Sequence, residues 1–391
     1  MSAPRTQAAP NPPPPNAPPR NQILVELDKF WLRVTEGLEL SQLWKQFRAD
    51  AKSSYRLYRK DFDARVPEGT RRQNFFHTAQ EFTWALLEKL TPARRVLLLA
   101  GVVLLLLPTG NFSYEGKSGV QAIEFDFHFF GGLVLLLLLL LEVADRVVMK
   151  RDLEIARDIQ SWLLPASPPN VPGVAIAFAT RPANTVAGDF YDVFPRAGTE
   201  SRFLMAVADV AGKSIPAALL MATFQASLKT LSETPCSLLE LVAGMNRYAC
   251  SNSQSGLRFT TAFLAEYDPA SRALSYVNAG HNTPVVLRSA GGLERLEAGG
   301  LPLGILADAA YQSGSLTLQP GDWLVVFTDG LVEAVNSQDE EYGEQRMMTV
   351  LNSGVRVTPD EMLRRLMNDL DAFVGPTAQH DDVTCLLVKV I

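Results

Sequence analysis

Aspartates close off apolar runs in the second half of the chain. The run Phe203 to Ala208 ends in Asp209, and Trp323 to Thr328 ends in Asp329-Gly330. Asp381-Asp382 directly precedes the run Val383 to Val390, and Gly188-Asp189-Phe190-Tyr191-Asp192 forms an earlier acidic loop. Carboxylates at strand ends can meet at one rim of a sheet, where they repel and raise one another's pKa unless cations hold them. Hard divalent ions with oxygen ligands, Mg²⁺ or Mn²⁺, suit such a set. Taken singly, each spot has a plain reading. Asp-Gly after an apolar run is a hairpin turn, Asp189 can cap a turn, and Asp381-Asp382 can start a strand. Four together, with glycine at the turns, fit backbone brought close to a metal and its waters.

The elements that must position these residues follow from periodicity and from turn residues. Strands are expected at Val174–Arg181, Phe203–Ala208, Thr261–Tyr267, Ala273–Val277, Pro284–Arg288, Trp323–Phe327 and Val383–Val390. Helices are expected at Ile215–Ser232, Ser237–Cys250, Glu344–Leu351 and Pro359–Phe373. Hairpin-linked strands with helices inserted in blocks indicate α+β architecture, with sheets packed together and helices outside. Gly212-Lys213-Ser214 invites a nucleotide-binding reading, but a phosphate loop needs a glycine where Val207 stands inside a strand. Lys213 can draw in a phosphate or simply be a solvated loop residue. His281, in a tight Gly-containing turn, can protonate a leaving alkoxide, orient a metal-bound water, or cap the turn.

The formal charge of −6 hides a split. Residues 1–95 carry 16 Lys and Arg against 10 Asp and Glu, whereas residues 152–391 carry 16 against 27. The basic part suits a membrane surface, and the acidic part argues against a nucleic-acid footprint. Cys236, Cys250 and Cys385 are widely spaced and form no CxxC pair, which argues against a disulfide framework or a zinc site and for a reducing compartment. Residues 1–20 read as a disordered Pro-rich tail, and 21–93 as a helical, basic region. Within it, Trp44 to Phe62 is amphipathic, with an aromatic stripe beside a basic one. That helix lies on an anionic membrane or packs on a neighbour.

Residues 94–150 hold two short apolar stretches, Val96–Leu107 and Phe129–Leu141. Each alone is shorter than the roughly 20 residues of a spanning helix. The seven leucines from Leu135 to Leu141 favour a membrane hairpin over a buried helical pair. Arg94, Arg95, Arg146, Lys150 and Arg151 flank the pair, which puts both ends in the cytoplasm and the domain that follows at the cytoplasmic membrane. From Glu142 to Leu164 a single helix is expected, a linker whose Val148, Ile155, Ile159 and Trp162 suit a homodimer contact. Pro165 and the prolines after it close the helix and open the domain 165–391.

Six ordered blocks in that domain resemble the SpoIIE/RsbU-type phosphatases, bacterial members of the metal-dependent type 2C protein phosphatases. They are Val186 to Asp192, Ala208 to Ala218, Tyr276 to Asn282, Leu301 to Ile305, Pro320 to Ala334 and His380 to Thr384. The helix from Glu154 through Gln160 to Pro165 is similar to the one preceding this domain in the family. Ala187 and Ser214 stand where the family commonly has glycine. The resemblance implies a type 2C β-sandwich flanked by helices, and a centre of two Mn²⁺ or Mg²⁺ ions. Asp209 would bridge the ions with help from the Val210 carbonyl. Asp329 and Asp381 would hold one ion and Asp189 the other, with Asp382 a further ligand or an outer acceptor. A water activated there would attack phosphorus in line, with no covalent phosphoenzyme. The implied substrate is a phosphorylated partner-switching regulator such as an anti-sigma-factor antagonist, dephosphorylated at serine or threonine. A non-catalytic phosphoprotein-binding module or membrane scaffold is the alternative.

Overall fold

The computed structural model describes residues 87, 90–108, 110–116, 119–196, 198, 202–252, 258–354 and 356–391, with backbone alone for 110–116 and 119–125. The Pro-rich tail and the aromatic-basic stretch Trp44 to Phe62 lie outside the described residues. The chain divides into two units, Met1–Leu141 and Glu142–Ile391.

In the first unit, helix α1 (Pro92–Leu106) starts on a proline and ends before Pro108, the placements proline tolerates. Strands β1 (Gly110–Gly116) and β2 (Gly119–Phe125) pair as an antiparallel hairpin, from Gly110 opposite Phe125 to Gly116 opposite Gly119. Helix α2 (Phe127–Leu163) follows. Its first turns pack on α1 through glycines. A Cβ on Gly101 would lie 2.7 Å from the Leu135 side chain, and one on Gly131 would lie 3.0 Å from the Gly101 carbonyl oxygen. Small residues of this kind let two helices approach closely. Val96, Leu99, Leu106, Phe129, Leu133 and Leu139 remain exposed. The second apolar stretch and the charged segment after it form one continuous helix of 37 residues. It is the one helix, among the described residues, long and apolar enough to cross a membrane.

The second unit is a sandwich of two sheets with helices on both outer faces. Its elements run β3 (Val174–Arg181), β4 (Phe190–Pro195), β5 (Phe203–Val210), α3 (Ile215–Ser232) and α4 (Leu238–Asn252). Next come β6 (Thr260–Asp268), β7 (Ala273–Ala279), β8 (Val285–Leu287), β9 (Leu293–Arg295), β10 (Gly299–Gly300), β11 (Gly314–Thr317) and β12 (Trp323–Phe327). The chain ends with α5 (Asp329–Val332), α6 (Glu344–Ser353), α7 (Pro359–Val374) and β13 (Val383–Val390). One sheet has the order β10-β7-β6-β5-β4, with β11 also on β7, and the other β3-β13-β12-β8-β9.

Alternation along each strand builds three cores. Met205 and Val207 of β5 turn inward to meet Val326, Leu386 and Val388 across the sandwich. Leu204, Ala206 and Ala208 turn outward under Met221, Phe224 and Leu241 of α3 and α4. On the opposite outer face, Val325, Phe327 and Leu387 pack beneath Met347, Leu366 and Leu370 of α6 and α7. With both faces covered, a strand need carry no polar side chain until it reaches the rim, which is where the aspartates begin.

Strand β4 departs from expectation, because Phe190-Tyr191-Asp192 is strand rather than loop. Asp192 is buried and breaks the apolar alternation. Lys229 of α3 lies 2.6 Å from its carboxylate, with the ammonium also 3.5 Å above the Phe194 ring. That partner is remote in sequence, so the strand is masked.

Candidate metal centre

Four segments deliver carboxylates to one rim of the sandwich. Asp209 is the penultimate residue of β5, Asp329 opens α5 straight after β12, Asp381-Asp382 lead into β13, and Asp189 leads into β4. Antiparallel pairing of β5 with β4, and of β12 with β13, brings the starts and ends of these strands to the same edge. Glycine permits the closest approach: a Cβ on Gly330 would sit 2.1 Å from the Asp382 carbonyl oxygen.

The electrostatics record the crowding. Burial first, then the charge of Asp209, holds the Asp189 carboxyl well above the usual carboxylate range. Asp209 is pushed up to about 7 by burial, then by Asp329, Asp381 and Asp382, and it is hydrogen-bonded to Asp189. Asp329 is raised by burial and then by Asp381. The nearest compensating charge is Lys213, 2.9 Å from an Asp381 oxygen and 2.5 Å from the His380 carbonyl. It pairs with one carboxylate of the group.

Each of the sequence-derived residues can be placed. Asp189 is 1% exposed and accepts from Thr328 Oγ1 at 2.9 Å, with Thr384 as a further donor. The Val210 carbonyl lies over Gly188, where a Cβ would be 3.2 Å from that oxygen and 3.8 Å from Asp209 Oδ1. The two oxygens of Asp382 accept the Ala183 and Gly188 amides at 2.7 and 2.5 Å, and its charge also helps to raise Asp189 and Asp209. Asp382 therefore ties the loop before β4 to the start of β13. His281 is buried and its partners are not the carboxylates. Its amide donates to Asn278 Oδ1 at 2.7 Å, and Nδ1 lies 3.1 Å from Thr261 Oγ1. Burial lowers its pKa to about 4, so the ring is neutral near pH 7. That surrounding suits the turn-capping reading among the three left open by the sequence.

Sequence reasoning passed over three residues here. Thr328 and Thr384 interlock, the Thr384 amide donating to Thr328 Oγ1 at 2.9 Å and the Thr328 amide to the Thr384 carbonyl at 3.0 Å. Both lie inside blocks already singled out, without a role there, and they orient Asp189. Gln160 of α2 is the third. Its buried carboxamide donates to the Ala187 carbonyl at 2.7 Å and accepts the Ala187 amide at 2.9 Å. Ser214, at the cap of α3, adopts φ 66° and ψ −147°, a conformation natural to glycine.

The donors present suit hard divalent ions. All are oxygens, their negative charge is largely uncompensated, and the raised pKa values show that the protein supplies too few donors of its own. Among the described residues no group of three or more His, Cys, Asp or Glu side chains is arranged so that it could hold a metal ion. Beside the cluster lies a cavity of about 430 Å³ lined by Arg181, Lys213, Glu333, Gln379 and Asp381.

Comparison with known proteins agrees with this geometry. Residues 199–391 match the family model described as Stage II sporulation protein E (SpoIIE). Over these residues the domain is similar to the SpoIIE/RsbU-type phosphatases of the type 2C class. Over 273 residues the chain is 30% identical to Protein IcfG of Synechocystis sp. (strain ATCC 27184 / PCC 6803 / Kazusa), covering 63% of this chain and 42% of that protein. It is 27% identical over 242 residues to the phosphoserine phosphatase RsbU of Bacillus subtilis (strain 168), covering 62% and 70%. The chain thus spans less than half the length of the first of these relatives. In fold, the SpoIIE-type domain resembles the SiaA-PP2C domain of Pseudomonas aeruginosa, with a TM-score of 0.55 at 21% identity, covering 63% of this chain and 99% of that one. It also resembles the PP2C domain with a regulatory fragment of SpoIIE from Bacillus subtilis, with a TM-score of 0.50 at 18% identity, covering 57% and 64%.

Proposed function

We propose that this chain is a metal-dependent phosphoserine/phosphothreonine protein phosphatase held at a membrane. Its substrate would be a phosphorylated partner-switching regulator, such as an anti-sigma-factor antagonist. The observation that carries the reading is the convergence of Asp189, Asp209, Asp329 and Asp381 from four separate segments onto one rim. Relatives named phosphoserine phosphatases support the reaction class.

Asp209, the Val210 carbonyl, Asp189, Asp329 and Asp381 would hold two Mn²⁺ or Mg²⁺ ions. When bound, such ions lower the pKa of water and neutralise charge on phosphoryl oxygens. The protein's own contribution is orientation. Thr328 and Thr384 fix Asp189, and Asp382 fixes the loop that carries it. Lys213 stands at the wall of the adjoining cavity, where its ammonium favours an anionic phosphate. Water attacking in line needs no protein nucleophile, which agrees with Cys385 being buried in a core. His281 stays neutral and holds the turn that ends β7.

Membrane attachment rests on the exposed leucines and valines of α1 and the start of α2. A homodimer contact along α2 rests on Ile155, Ile159 and Trp162, which are 49%, 49% and 79% exposed. The test is phosphate release from p-nitrophenyl phosphate by the full chain in detergent, with Mn²⁺ and with EDTA. Mn²⁺-dependent release, reduced at least about 10²-fold in Asp209→Asn, is expected. A chain that folds and binds Mn²⁺ yet releases no phosphate would be the non-catalytic binding module instead.

A further inference from the structure

Side chains from the rim and from one helix anchor the loop 182–189 that delivers Asp189. Asp382 takes the Ala183 and Gly188 amides, Thr328 donates to Asp189 itself, and Gln160 holds both polar atoms of the Ala187 peptide. The first two belong to the sandwich rim. Gln160 alone comes from α2, the helix before the domain.

The pairing is reciprocal, one donor and one acceptor on a single residue, as a neighbouring strand would provide. A buried carboxamide is costly unless both ends are satisfied, so the contact tolerates little displacement. Ala187 is 1% exposed, and Gly188 beside it packs against the Val210 carbonyl. A shift of Gln160 is therefore passed along the backbone to Gly188, to Asp189 and to the Val210 carbonyl against which Gly188 packs. Leu164, one turn further along, is packed against two of the cores and holds the chain in register at this point.

We infer that Gln160 is a positioning residue for the metal centre: its carboxamide fixes the Ala187 peptide so that Asp189 and the Val210 carbonyl present their oxygens together. The inference rests on the metal-dependent reading above and adds the residue through which α2 acts on that site. A filler role for Gln160 would change stability alone, whereas a positioning role changes affinity for the ion.

The experiment uses the full chain in detergent, wild type beside Gln160→Ala, Gln160→Glu and Gln160→Met. Mn²⁺ binding is read from the free-ion electron paramagnetic resonance signal, and p-nitrophenyl phosphate turnover is followed as Mn²⁺ is raised. Each substitution is expected to weaken Mn²⁺ binding about tenfold, a 1.4 kcal/mol effect. Turnover should recover to within about threefold of wild type at saturating Mn²⁺, in keeping with a residue that acts on ion binding. Gln160→Glu should be at least as impaired as Gln160→Ala, because it sets a carboxylate against the Ala187 carbonyl. Gln160→Met keeps the side chain's length and supplies the answer if Gln160→Ala does not fold. Mn²⁺ affinity equal to wild type in the folded variants would overturn the inference, whatever their melting temperatures. Wild-type protein that binds Mn²⁺ without hydrolysis would instead overturn the phosphatase reading, and the binding comparison would still decide the role of Gln160.

Discussion

Asp322 and Asp189 are each 1% exposed, yet their surroundings push them in opposite directions. Burial alone would raise Asp322. The amides of Ser289 and Gln319, with the Arg288 guanidinium, outweigh it and hold the carboxyl below its usual range. Asp189 is raised by burial first, and the charge of Asp209 adds to that rise where Asp322 has a guanidinium to oppose it. Solvent exclusion is therefore not what distinguishes a functional acid here. Asp322 has been given all the donors a carboxylate can use, as befits a structural tie between β12 and the turn after β8. At the rim the donors to Asp189 are two threonine hydroxyls, too few to offset burial and the neighbouring carboxylates, an arrangement that costs stability and suits a cation.

This contrast can be broken by substitution. Asp322→Ala leaves the Ser289 and Gln319 amides without their acceptor, while Arg288 keeps Glu294, and should cost about 2 kcal/mol in denaturant unfolding. Turnover per folded molecule should be unchanged. A large loss of Mn²⁺-dependent turnover at full folding would place Asp322 with the rim residues and dissolve the distinction.

The two acids should also differ with pH. Asp209 titrates near 7 in the folded metal-free protein and near 4 when unfolded, so the folded state binds more protons between those values. In EDTA, melting temperature should therefore fall as pH rises from about 5 to 7, the part due to Asp209 alone being bounded by about 1.4 kcal/mol of stability per pH unit and reduced by solvent at the open rim. Saturating Mn²⁺ should flatten or reverse that slope. Asp322, held low, contributes stability that is kept above its unfolded pKa and lost only as pH falls below it. A metal-free protein whose stability rises from pH 5 to 7 would show that the rim carboxylates do not repel as described.

The smallest effect concerns the backbone between β5 and α3. Ser214 holds a glycine-like conformation, so Ser214→Gly should stabilise the domain by about 1 kcal/mol, read from the denaturant midpoint. Destabilisation would mean that the hydroxyl makes a contact worth more than the strain.

How much of this was legible in the sequence depended on where the deciding partner lay. Strands Val174–Arg181, Trp323–Phe327 and Val383–Val390 and helix Ile215–Ser232 run over the residues their apolar patterns mark, because Pro, Gly or Asp bounds each one locally. Strand β4 was hidden, since Asp192 looks like a loop residue until Lys229 is seen beside it. The acidic rim was readable from strand ends and ordered motifs. The unequal roles of Asp381 and Asp382 were not, because only the fold shows which of two adjacent acids meets the Ala183 and Gly188 amides. Gln160 was readable only as one residue of a helix that is similar to the family's. Its partner is a backbone group, and backbone groups leave no mark in a sequence.

The most direct test is a calorimetric titration of Mn²⁺ into the metal-free full chain near pH 7, run in two buffers of different ionisation heat. Two bound ions per chain, with release of the proton shared by Asp189 and Asp209, are predicted, and Asp209→Asn should lose both the binding and the release. Binding that is absent, or that is equal in Asp209→Asn, would contradict the account.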